Sequence, residues 1–302
     1  MDIVLVGHVV VDTIIYPDGS RKRSLGGSVV YGSFTALRHG TRPVIVSIVG
    51  SDFPDEYLTF LARNGIDIAY IHRFKGRTTR FRLLYDEHMN RKLYLLSRSP
   101  DILVENLPPV LHKKLVLVGA VAGEVPLETL KYISREASMT ALDIQGYLRF
   151  KERDGSITLK PNPMLKEIVK HVDILHAEEY EAKIAINVEN PAEAAKKLVE
   201  MGCGIALVTM GERGSYVAMK RRLLYVPAVK PRKMVDATGC GDVYTTVFTI
   251  EYYRSGDIYE AAAMATSASS FLVEKPGLNG FASRSEVRKR AQEVMGDIKE
   301  IG

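Results

Sequence analysis

The stretch that decides the fold is Asp236-Ala237-Thr238-Gly239-Cys240-Gly241-Asp242, which opens an apolar, helix-like run ending near Tyr253. Glycines at 239 and 241 let backbone N–H groups converge on one point, because no Cβ atom stands in the way. The positive end of the helix dipole adds to that point, so the segment is suited to hold an anion beside the Asp242 carboxylate. A tight turn with Asp242 as a helix cap is the alternative interpretation. The rest of the chain decides between them.

Composition describes a globular chain. It has 302 residues, 46% of them hydrophobic and 25% charged, which is enough for one large core or two modest ones. The apolar runs are too short to span a bilayer and the N-terminus enters a strand pattern directly, so we expect a cytoplasmic protein without a membrane segment. Cys203 and Cys240 are the only cysteines. This predicts a reducing compartment and no structural zinc.

The charges are spread along the chain. The net charge of +5 comes from 41 basic and 36 acidic side chains, and the notable basic clusters are 21–23 and 220–222. A nucleic-acid surface would concentrate its cations, so the sequence predicts no nucleic-acid partner and at most an attraction for small anions such as nucleotides. Amide side chains are scarce, with Gln and Asn outnumbered by Lys, Arg and Glu. This composition favours a thermophilic source.

Short apolar runs alternate with amphipathic stretches. Buried strands are predicted at 3–7, 44–49, 115–118, 140–144, 172–175 and 205–210. Helices are predicted at 28–39, 54–64, 126–137, 178–186, 191–201, 241–254, 258–273 and 283–295. The alternation predicts an α/β fold with a doubly wound, mostly parallel sheet flanked by helices. Ligands of such sheets gather at the carboxyl ends of the strands, where five residues fall: Gly7, Gly50, Gly119, Asp143 and Gly211.

Two segments interrupt the alternation, at about 11–25 and 74–97. The second reads as a hairpin, with strand-like runs 78–85 and 92–96 around a turn at 86–90. Together the segments predict a small β-sheet that covers the mouth of one large domain spanning 1–302, as a lid that excludes water. An ordinary surface hairpin is the alternative.

Five ordered motifs resemble those of the ribokinase or PfkB carbohydrate kinases, and they cover nearly the whole chain. They are Gly7-x-x-x-x-Asp12, Leu25-Gly26-Gly27, Glu178-x-x-Glu181, Thr209-Met210-Gly211-Glu212-Arg213-Gly214 and the segment 236–242. The resemblance implies a ribokinase-like α/β domain with a β lid. It also implies ATP as phosphoryl donor, magnesium, and transfer to a hydroxyl of a sugar, polyol or nucleoside. The absence of a G-x-x-x-x-G-K-[ST] motif disfavours a P-loop enzyme.

The resemblance implies roles for individual residues. Asp242 would accept the proton of the attacking hydroxyl, and the backbone N–H groups of Gly239, Cys240 and Gly241 would hold the transferring phosphoryl oxygens. Nucleotide contacts are expected from Thr209, Gly211, Gly214 and Thr266. Asp236 is a candidate ligand of a monovalent cation such as potassium.

Magnesium is expected near Glu181, which matches the family's acidic residue. The usual Asn three positions earlier is replaced by Glu178. An extra carboxylate would repel polyphosphate, so either Glu178 binds magnesium more directly or it faces away. Two solvated carboxylates that cap a helix are the alternative. A second departure is Tyr31, where many relatives carry an Asn that contacts the sugar.

The predicted acceptor is a polyol. Asp12 can accept two hydroxyl hydrogens, and Gly26 and Gly27 let the backbone approach a ring closely. Residues 143–149 are similar to the Asp-Ile-Gln-x-x-x-Arg run of myo-inositol 3-kinases, which makes Gln145 and Arg149 candidate substrate ligands. These residues favour phosphorylation of myo-inositol at the 3-hydroxyl.

Other activities stay open on the sequence. A nucleoside kinase would find a base slot in Phe81, Tyr85 or Tyr31. A sugar-phosphate kinase would use lid cations, namely Arg77, Arg80, Arg82, Arg91 and Lys92. A non-catalytic ligand-binding relative is a different class, which the intact segment 239–242 disfavours. A homodimer through the lid edges is also expected by resemblance.

Overall fold

The computed structural model describes residues 1–87 and 91–301. Its strands are β1 (Asp2–Val6), β2 (Val10–Ile15), β3 (Arg21–Gly26), β4 (Arg42–Gly50), β5 (Asp67–Phe74), β6 (Arg80–Tyr85), β7 (Arg91–Ser97), β8 (Leu115–Val118), β9 (Met139–Asp143), β10 (Arg149–Lys151), β11 (Ile157–Leu159), β12 (Ile174–Glu178), β13 (Ile205–Thr209), β14 (Ser215–Met219), β15 (Arg222–Val226) and β16 (Lys299–Glu300).

The helices fall where the amphipathic stretches predicted them, with two short additions after β9 and β11. They are α1 (Ser28–Arg38), α2 (Asp55–Arg63), α3 (Leu127–Glu136), α4 (Gln145–Leu148), α5 (Leu165–Val169), α6 (Glu179–Ile186), α7 (Pro191–Met201), α8 (Cys240–Ser255), α9 (Ile258–Leu272) and α10 (Arg284–Met295). Among the described residues, no helix combines the length and apolar character needed to cross a bilayer.

The large sheet has ten strands in the order β16-β15-β14-β13-β12-β9-β8-β1-β4-β5. Strands from β13 to β5 pair in parallel, and β14, β15 and β16 extend one edge in antiparallel fashion. The predicted doubly wound, mostly parallel sheet is therefore confirmed. The sequence reading missed β5 and the antiparallel edge.

The sheet is buried on both faces. In β1 alternate residues belong to different clusters, with Leu5 packing on the side of Phe248 and Val4 on the side of Leu130. All of these side chains are fully buried. Helices thus cover both faces, which is why the central strands read as continuous apolar runs.

A second, four-stranded sheet has the order β3-β2-β6-β7. Both predicted lid segments contribute to it, but Phe74 belongs to β5 of the large sheet and the lid resumes only at Arg80. The predicted turn at 86–90 lies partly outside the described residues. An unpredicted hairpin, β10 and β11, joins this sheet through Tyr94 and Ser156 and through a hydrogen bond of 2.9 Å from Leu95 N to the carbonyl oxygen of Gly155.

Candidate active site

Two cavities meet at the start of α8. The first, of about 580 Å³, lies between the large sheet and the small sheet, and the second, of about 350 Å³, lies beside β13 and α9. We call them the acceptor cavity and the donor cavity. They share Glu178, Ala237, Cys240 and Gly241 in their walls. A chemical group transferred from a ligand in one cavity to a ligand in the other would therefore pass the segment 237–241.

That segment presents unpaired backbone donors. Gly239 has a φ of 83° and immediately precedes α8, whose first turn contains Asp242. The N–H of Cys240 donates to the carbonyl oxygen of Ala237 at 3.2 Å. Among the described residues, the N–H groups of Gly239, Gly241 and Asp242 have no acceptor. These free donors at a helix N-terminus form a site for an anion, with Cys240 as the exception to the predicted set.

Glycine is required in this turn by contact as well as by backbone angle. A Cβ atom at position 239 would lie 2.2 Å from Cδ1 of Tyr31, and one at position 241 would lie 2.9 Å from Cε1 of His176. The first turn of α8 is therefore packed between two rings. Tyr31, noted in the sequence as a departure, also lines the acceptor cavity.

Asp242 lies in the wall of the acceptor cavity. Burial and the Asp143 carboxylate raise its pKa to about 7, while the nearby Ser28 hydroxyl and the charges of His176 and Arg149 lower it. A carboxylate with a pKa near neutrality is well matched to accepting a proton at physiological pH.

A buried histidine links two predicted site strands under the anion site. Nδ1 of His176 lies 2.7 Å from Oδ2 of Asp143, and Nε2 lies 3.0 Å from Oγ1 of Thr209. Burial alone would lower the pKa of His176, but Asp143, together with Glu181 and Glu178, more than offsets it and the pKa is raised. The histidine is thus poised to carry positive charge below the anion site.

Glu181 and Glu178 both line the acceptor cavity, and Glu178 also borders the donor cavity, so it does not face away. Oε2 of Glu181 accepts the N–H of Glu178 at 2.9 Å. Burial, Asp143 and Glu178 raise the pKa of Glu181 to about 8. The described residues contain no cluster of three or more metal-ligating side chains. Magnesium nevertheless fits here, because it keeps most of its waters and needs only one or two carboxylates together with phosphate.

Both carboxylate oxygens of Asp236 accept hydrogen bonds from backbone N–H groups. Its Oδ1 accepts the N–H of Thr238 at 2.9 Å and its Oδ2 accepts the N–H of Gly277 at 3.1 Å. These bonds tie the anion-binding turn to the segment after α9. Asp236 therefore shapes the turn, and potassium binding stays a prediction.

The acceptor cavity contains a carboxylate without a partner. Asp12 makes no hydrogen bond to another described residue, and burial raises its pKa to about 7 while Arg149 and Arg91 lower it. A Cβ atom at position 26 would lie 2.3 Å from Oδ2 of Asp12, and Gly27, with a φ of 98°, lines the cavity. The two predicted glycines thus make room for Asp12 and for a ligand.

Gln145 and Arg149 both line this cavity and contact each other. Nη2 of Arg149 donates to Oε1 of Gln145, and Nε2 of Gln145 donates to Oγ of Ser28 at 2.8 Å. Nη1 of Arg149 donates to the carbonyl oxygen of Val121 at 3.1 Å. The two side chains predicted to bind substrate are therefore also part of a protein network.

The donor cavity gathers the four residues predicted to bind nucleotide. Gly211 and Gly214 form a turn after β13, with φ of 59° and 86°. Thr209 ends β13, and Thr266 on α9 donates to the carbonyl oxygen of Pro227 at 3.3 Å. The remaining wall includes apolar side chains, among them Val229, Pro231, Met234 and Val273.

Sequence reasoning missed Ser28 and His176. Ser28 follows Gly27 directly, so its place at the start of a helix beside a glycine pair was the available signal. His176 interrupts the apolar strand β12, two positions before the Glu178-x-x-Glu181 motif. A polar residue in a fully buried strand points to a partner at the strand end.

Two known proteins of similar sequence are nucleoside-phosphorylating kinases by name. The chain is 27% identical over 292 residues to a cytidine kinase of Thermococcus kodakarensis, covering 92% of this chain and 98% of the relative. It is 23% identical over 288 residues to a nucleoside kinase of Methanocaldococcus jannaschii, covering 91% of each.

Solved structures share the fold. A pyrophosphate-dependent kinase in the ribokinase family, complexed with a pyrophosphate analogue and myo-inositol, superposes with a TM-score of 0.82 at 22% identity, covering 95% of this chain and 99% of that one. A pyrophosphate-dependent myo-inositol-1 kinase converted into a myo-inositol-3 kinase by Asn-to-Leu and Ser-to-Leu substitutions gives a TM-score of 0.83 at 21% identity, covering 97% and 99%.

The family model for pfkB family carbohydrate kinases matches residues 1–284. Members are phosphotransferases that act on hydroxyl groups of sugars or nucleosides. The predicted family and the predicted reaction class are therefore confirmed, and the chain belongs to the pfkB family of carbohydrate kinases.

Proposed function

We propose that this kinase transfers the γ-phosphoryl group of ATP to the 3-hydroxyl of myo-inositol. The observation that carries the proposal is the unpartnered carboxylate of Asp12 in a cavity that also contains Gln145 and Arg149. Asp12 is half-buried, and a ligand that shields its carboxylate from water must supply donors, which the adjacent hydroxyl groups of a polyol can do. The amide and guanidinium groups complement further hydroxyl oxygens.

Two leucines of the small sheet, which line the acceptor cavity, support transfer to the 3-hydroxyl. Leu83 and Leu93 face each other across β6 and β7, and both line the cavity. The solved inositol kinase whose product changed from the 1- to the 3-phosphate gained two leucines. Apolar side chains would reject one orientation of a ring that carries hydroxyls on all its carbons, since an unpaired hydroxyl is costly to bury.

The donor cavity supports a nucleotide over pyrophosphate. Its volume of about 350 Å³ and its apolar walls suit a nucleoside, which pyrophosphate lacks. The donor's phosphates would extend toward the free N–H groups of Gly239 and Gly241. Magnesium, when held near Glu181 and Glu178, would neutralise phosphate charge. Asp242 would accept the proton of the attacking hydroxyl.

The test is ADP release with ATP and magnesium against myo-inositol, ribose, fructose, fructose 6-phosphate, adenosine and cytidine, run also at elevated temperature. Turnover of myo-inositol with chiral analysis showing the 3-phosphate supports the proposal. Turnover of another acceptor alone overturns it. Substitution of pyrophosphate for ATP without loss of rate would overturn the donor assignment.

A double variant and a matched control test the role of these two leucines. Leu83→Asn combined with Leu93→Ser should shift the product toward the 1-phosphate, which is the enantiomer of the 3-phosphate. Leu84→Asn is the control, because Leu84 neighbours Leu83 in β6 but is exposed and lies outside the cavity wall. An unchanged product in the double variant would contradict a role of the leucines in regiochemistry.

A nucleoside kinase is the second candidate, favoured by an aromatic pair and by the cytidine and nucleoside kinase relatives. Tyr16 and Tyr85 stack with ring centroids 6.1 Å apart, and both line the acceptor cavity. A base could stack there. Tyr85→Ala should then raise KM for cytidine, whereas Tyr94→Ala, on the adjacent strand but outside the cavity wall, should not. Arg91, alone of the predicted lid cations, lines the cavity, which keeps fructose 6-phosphate in the panel.

A further inference from the structure

We propose that His8 is a positioning residue for the acceptor cavity, because it joins the chain segments that connect the small sheet to the rest of the protein. The proposal rests on the acceptor binding in the acceptor cavity and the nucleotide in the donor cavity, as proposed above, but not on the identity of the acceptor. His8 itself is fully buried and lies outside the walls of both cavities.

His8 lies where the small sheet is attached. In the part of the chain that the structure describes, four segments connect strands of the small sheet to the large sheet and its helices. They are 7–9 before β2, Gly27 after β3, 75–79 before β6 and 98–103 after β7. His8 belongs to the first segment and contacts each of the other three. A shift of the small sheet over the large sheet would therefore disturb the contacts of this one residue.

The ring of His8 bonds to two of these segments. Nε2 lies 2.9 Å from the carbonyl oxygen of Pro100, and Nδ1 lies 2.8 Å from Oγ1 of Thr79. A carbonyl oxygen can only accept, so Nε2 donates and the neutral ring accepts the Thr79 hydroxyl hydrogen at Nδ1. Burial lowers the pKa of His8 and so favours this neutral form. The Thr79 hydroxyl oxygen also accepts the N–H of Ser99 at 2.8 Å, which joins the two segments directly.

The contact with Gly27 is one of close packing. A Cβ atom at position 27 would lie 2.4 Å from the carbonyl oxygen of His8. Gly27 also has a φ of 98°, which side chains rarely adopt. The chain can thus leave β3 and enter α1 directly against the backbone of His8.

The backbone beside the ring is fixed to the large sheet. The N–H of His8 donates to Oε1 of Glu124 at 2.8 Å, and the N–H of Val9 donates to Oγ of Ser47 at 2.8 Å. Glu124 follows β8, Ser47 belongs to β4, and both are fully buried. The backbone of His8 is therefore held by the large sheet, while its ring holds the segments of the small sheet.

These segments lead into the walls of the acceptor cavity. Asp12 follows His8 in β2, Phe81 follows Thr79 in β6, and Gly27 lines the cavity itself. Among the described residues, no member of the small sheet lines the donor cavity. Loosening the contacts of His8 should therefore weaken binding of the acceptor and leave binding of the nucleotide unchanged.

The experiment is steady-state kinetics of the full-length kinase, with ATP and with whichever panel acceptor it turns over best, each varied in turn. His8→Phe keeps a ring but removes both nitrogen atoms. It should raise KM for the acceptor by about tenfold, because a small sheet that is correctly placed about one tenth of the time lowers the apparent affinity in proportion. KM for ATP, and kcat at saturating acceptor, should stay at the wild-type values.

Two other results in this variant would overturn the proposal. A residue that serves stability alone would, when replaced, leave part of the enzyme unfolded. The apparent kcat would then fall while both KM values stayed unchanged, since the remaining folded enzyme is normal. Equal rises in KM for ATP and for the acceptor would likewise contradict a role confined to the acceptor cavity.

Thr79→Val covers the case in which His8→Phe does not fold. It removes the hydroxyl group with little change of shape, so KM for the acceptor alone should again rise. Thr79→Ser keeps the hydroxyl and should retain the wild-type KM; the same rise in this variant would point to the methyl group and overturn the proposal. Thr249→Val is the matched control, because Thr249 is also fully buried but donates within α8, to the carbonyl oxygen of Thr245 at 2.7 Å. Its KM values should equal those of the wild type.

Asp12→Asn separates this proposal from the assignment of the cavities. If Asp12→Asn raises KM for the acceptor while His8→Phe and Thr79→Val leave it unchanged, the positioning role is wrong and the cavity assignment stands. If Asp12→Asn raises KM for ATP instead, the cavity assignment fails and the positioning role fails with it.

Discussion

Oδ2 of Asp143 lies 2.7 Å from Nδ1 of His176, directly beneath the first turn of α8. The pair brings a negative and a potentially positive group under a site that must hold phosphate and a base. Asp143 raises the pKa values of Asp242, Glu181 and His176. One carboxylate thus influences three groups of the active site.

Asp143→Asn should therefore shift the acid limb of kcat/KM to lower pH. Removing the negative charge lowers the pKa of Asp242, so the base stays ionised as the pH falls. Asp173→Asn is the control, because Asp173 accepts a backbone N–H from Thr140 at the other end of the same strands. An upward shift in Asp143→Asn would contradict the stated charge effect.

The magnesium requirement should depend on pH through Glu181. Its pKa of about 8 without metal means that a cation must displace a proton below that pH. The apparent affinity for magnesium should rise as the pH approaches 8, and Glu181→Gln should weaken it by about tenfold or more and remove the pH dependence. Magnesium titrations of kcat at several pH values measure both. Glu200→Gln, exposed on α7, paired with Lys197 and outside both cavities, should behave as wild type.

Gly239→Ala should cost more than Gly256→Ala, although both glycines have positive φ and flank α8. Position 256 has open space around it, so the alanine there meets backbone strain alone, about 1 kcal/mol. At position 239 the added Cβ also strikes Tyr31. We expect a further loss of unfolding free energy and a large loss of kcat at 239 only. Equal denaturation midpoints and equal rates for the two variants would show that the Tyr31 contact is unimportant.

Stability at acid pH should depend on Glu251. Burial would raise its pKa, but hydrogen bonds from His39 and Arg284 hold it at about 2. A lowered folded-state pKa contributes stability above the unfolded value near 4.5, and this contribution is lost as the pH falls toward 2. Glu251→Gln should lower the unfolding free energy by about 2 to 3 kcal/mol at neutral pH and flatten its acid dependence.

Chemical denaturation across that pH range provides the measurement. Glu260→Gln is the control, because Glu260 pairs with a more exposed arginine, Arg288. It should change the unfolding free energy by less than about 1 kcal/mol. A Glu251→Gln variant as stable as this control would contradict the prediction.

The sequence predicted the central strands because they are buried on both faces and read as apolar runs. It did not reveal β5, whose half-buried residues carry Asp67 and Arg73 among the apolar ones. The hairpin of β14 and β15 was hidden because its two-residue turn, Lys220 and Arg221, lies within a basic cluster that reads as solvated loop. The turn depends on the positive φ of Lys220, which is 50°. A sequence does not show which lysine adopts such a backbone angle.

The site was predictable where a motif fixes a backbone, as at Gly239 and Gly241. It was not predictable where side chains from distant segments meet. Ser28 and Gln145 are 117 positions apart and touch only because β9 and the loop after β3 end at the same edge of the structure. Likewise the sequence predicted N–H donors at 239 to 241, but the bond from Cys240 to Ala237 depends on the turn geometry.

The walls shared by the acceptor and donor cavities, including Ala237, Cys240 and Gly241, also define a route for inhibitors. A single molecule that joins a polyol to adenosine through a phosphate chain would enter both cavities without displacing a secondary-structure element. Its second half would bind at an effective concentration on the order of millimolar, so the conjugate should bind more tightly than either half. In a series of such conjugates graded in chain length, the length that binds most tightly would measure the distance over which the phosphoryl group travels.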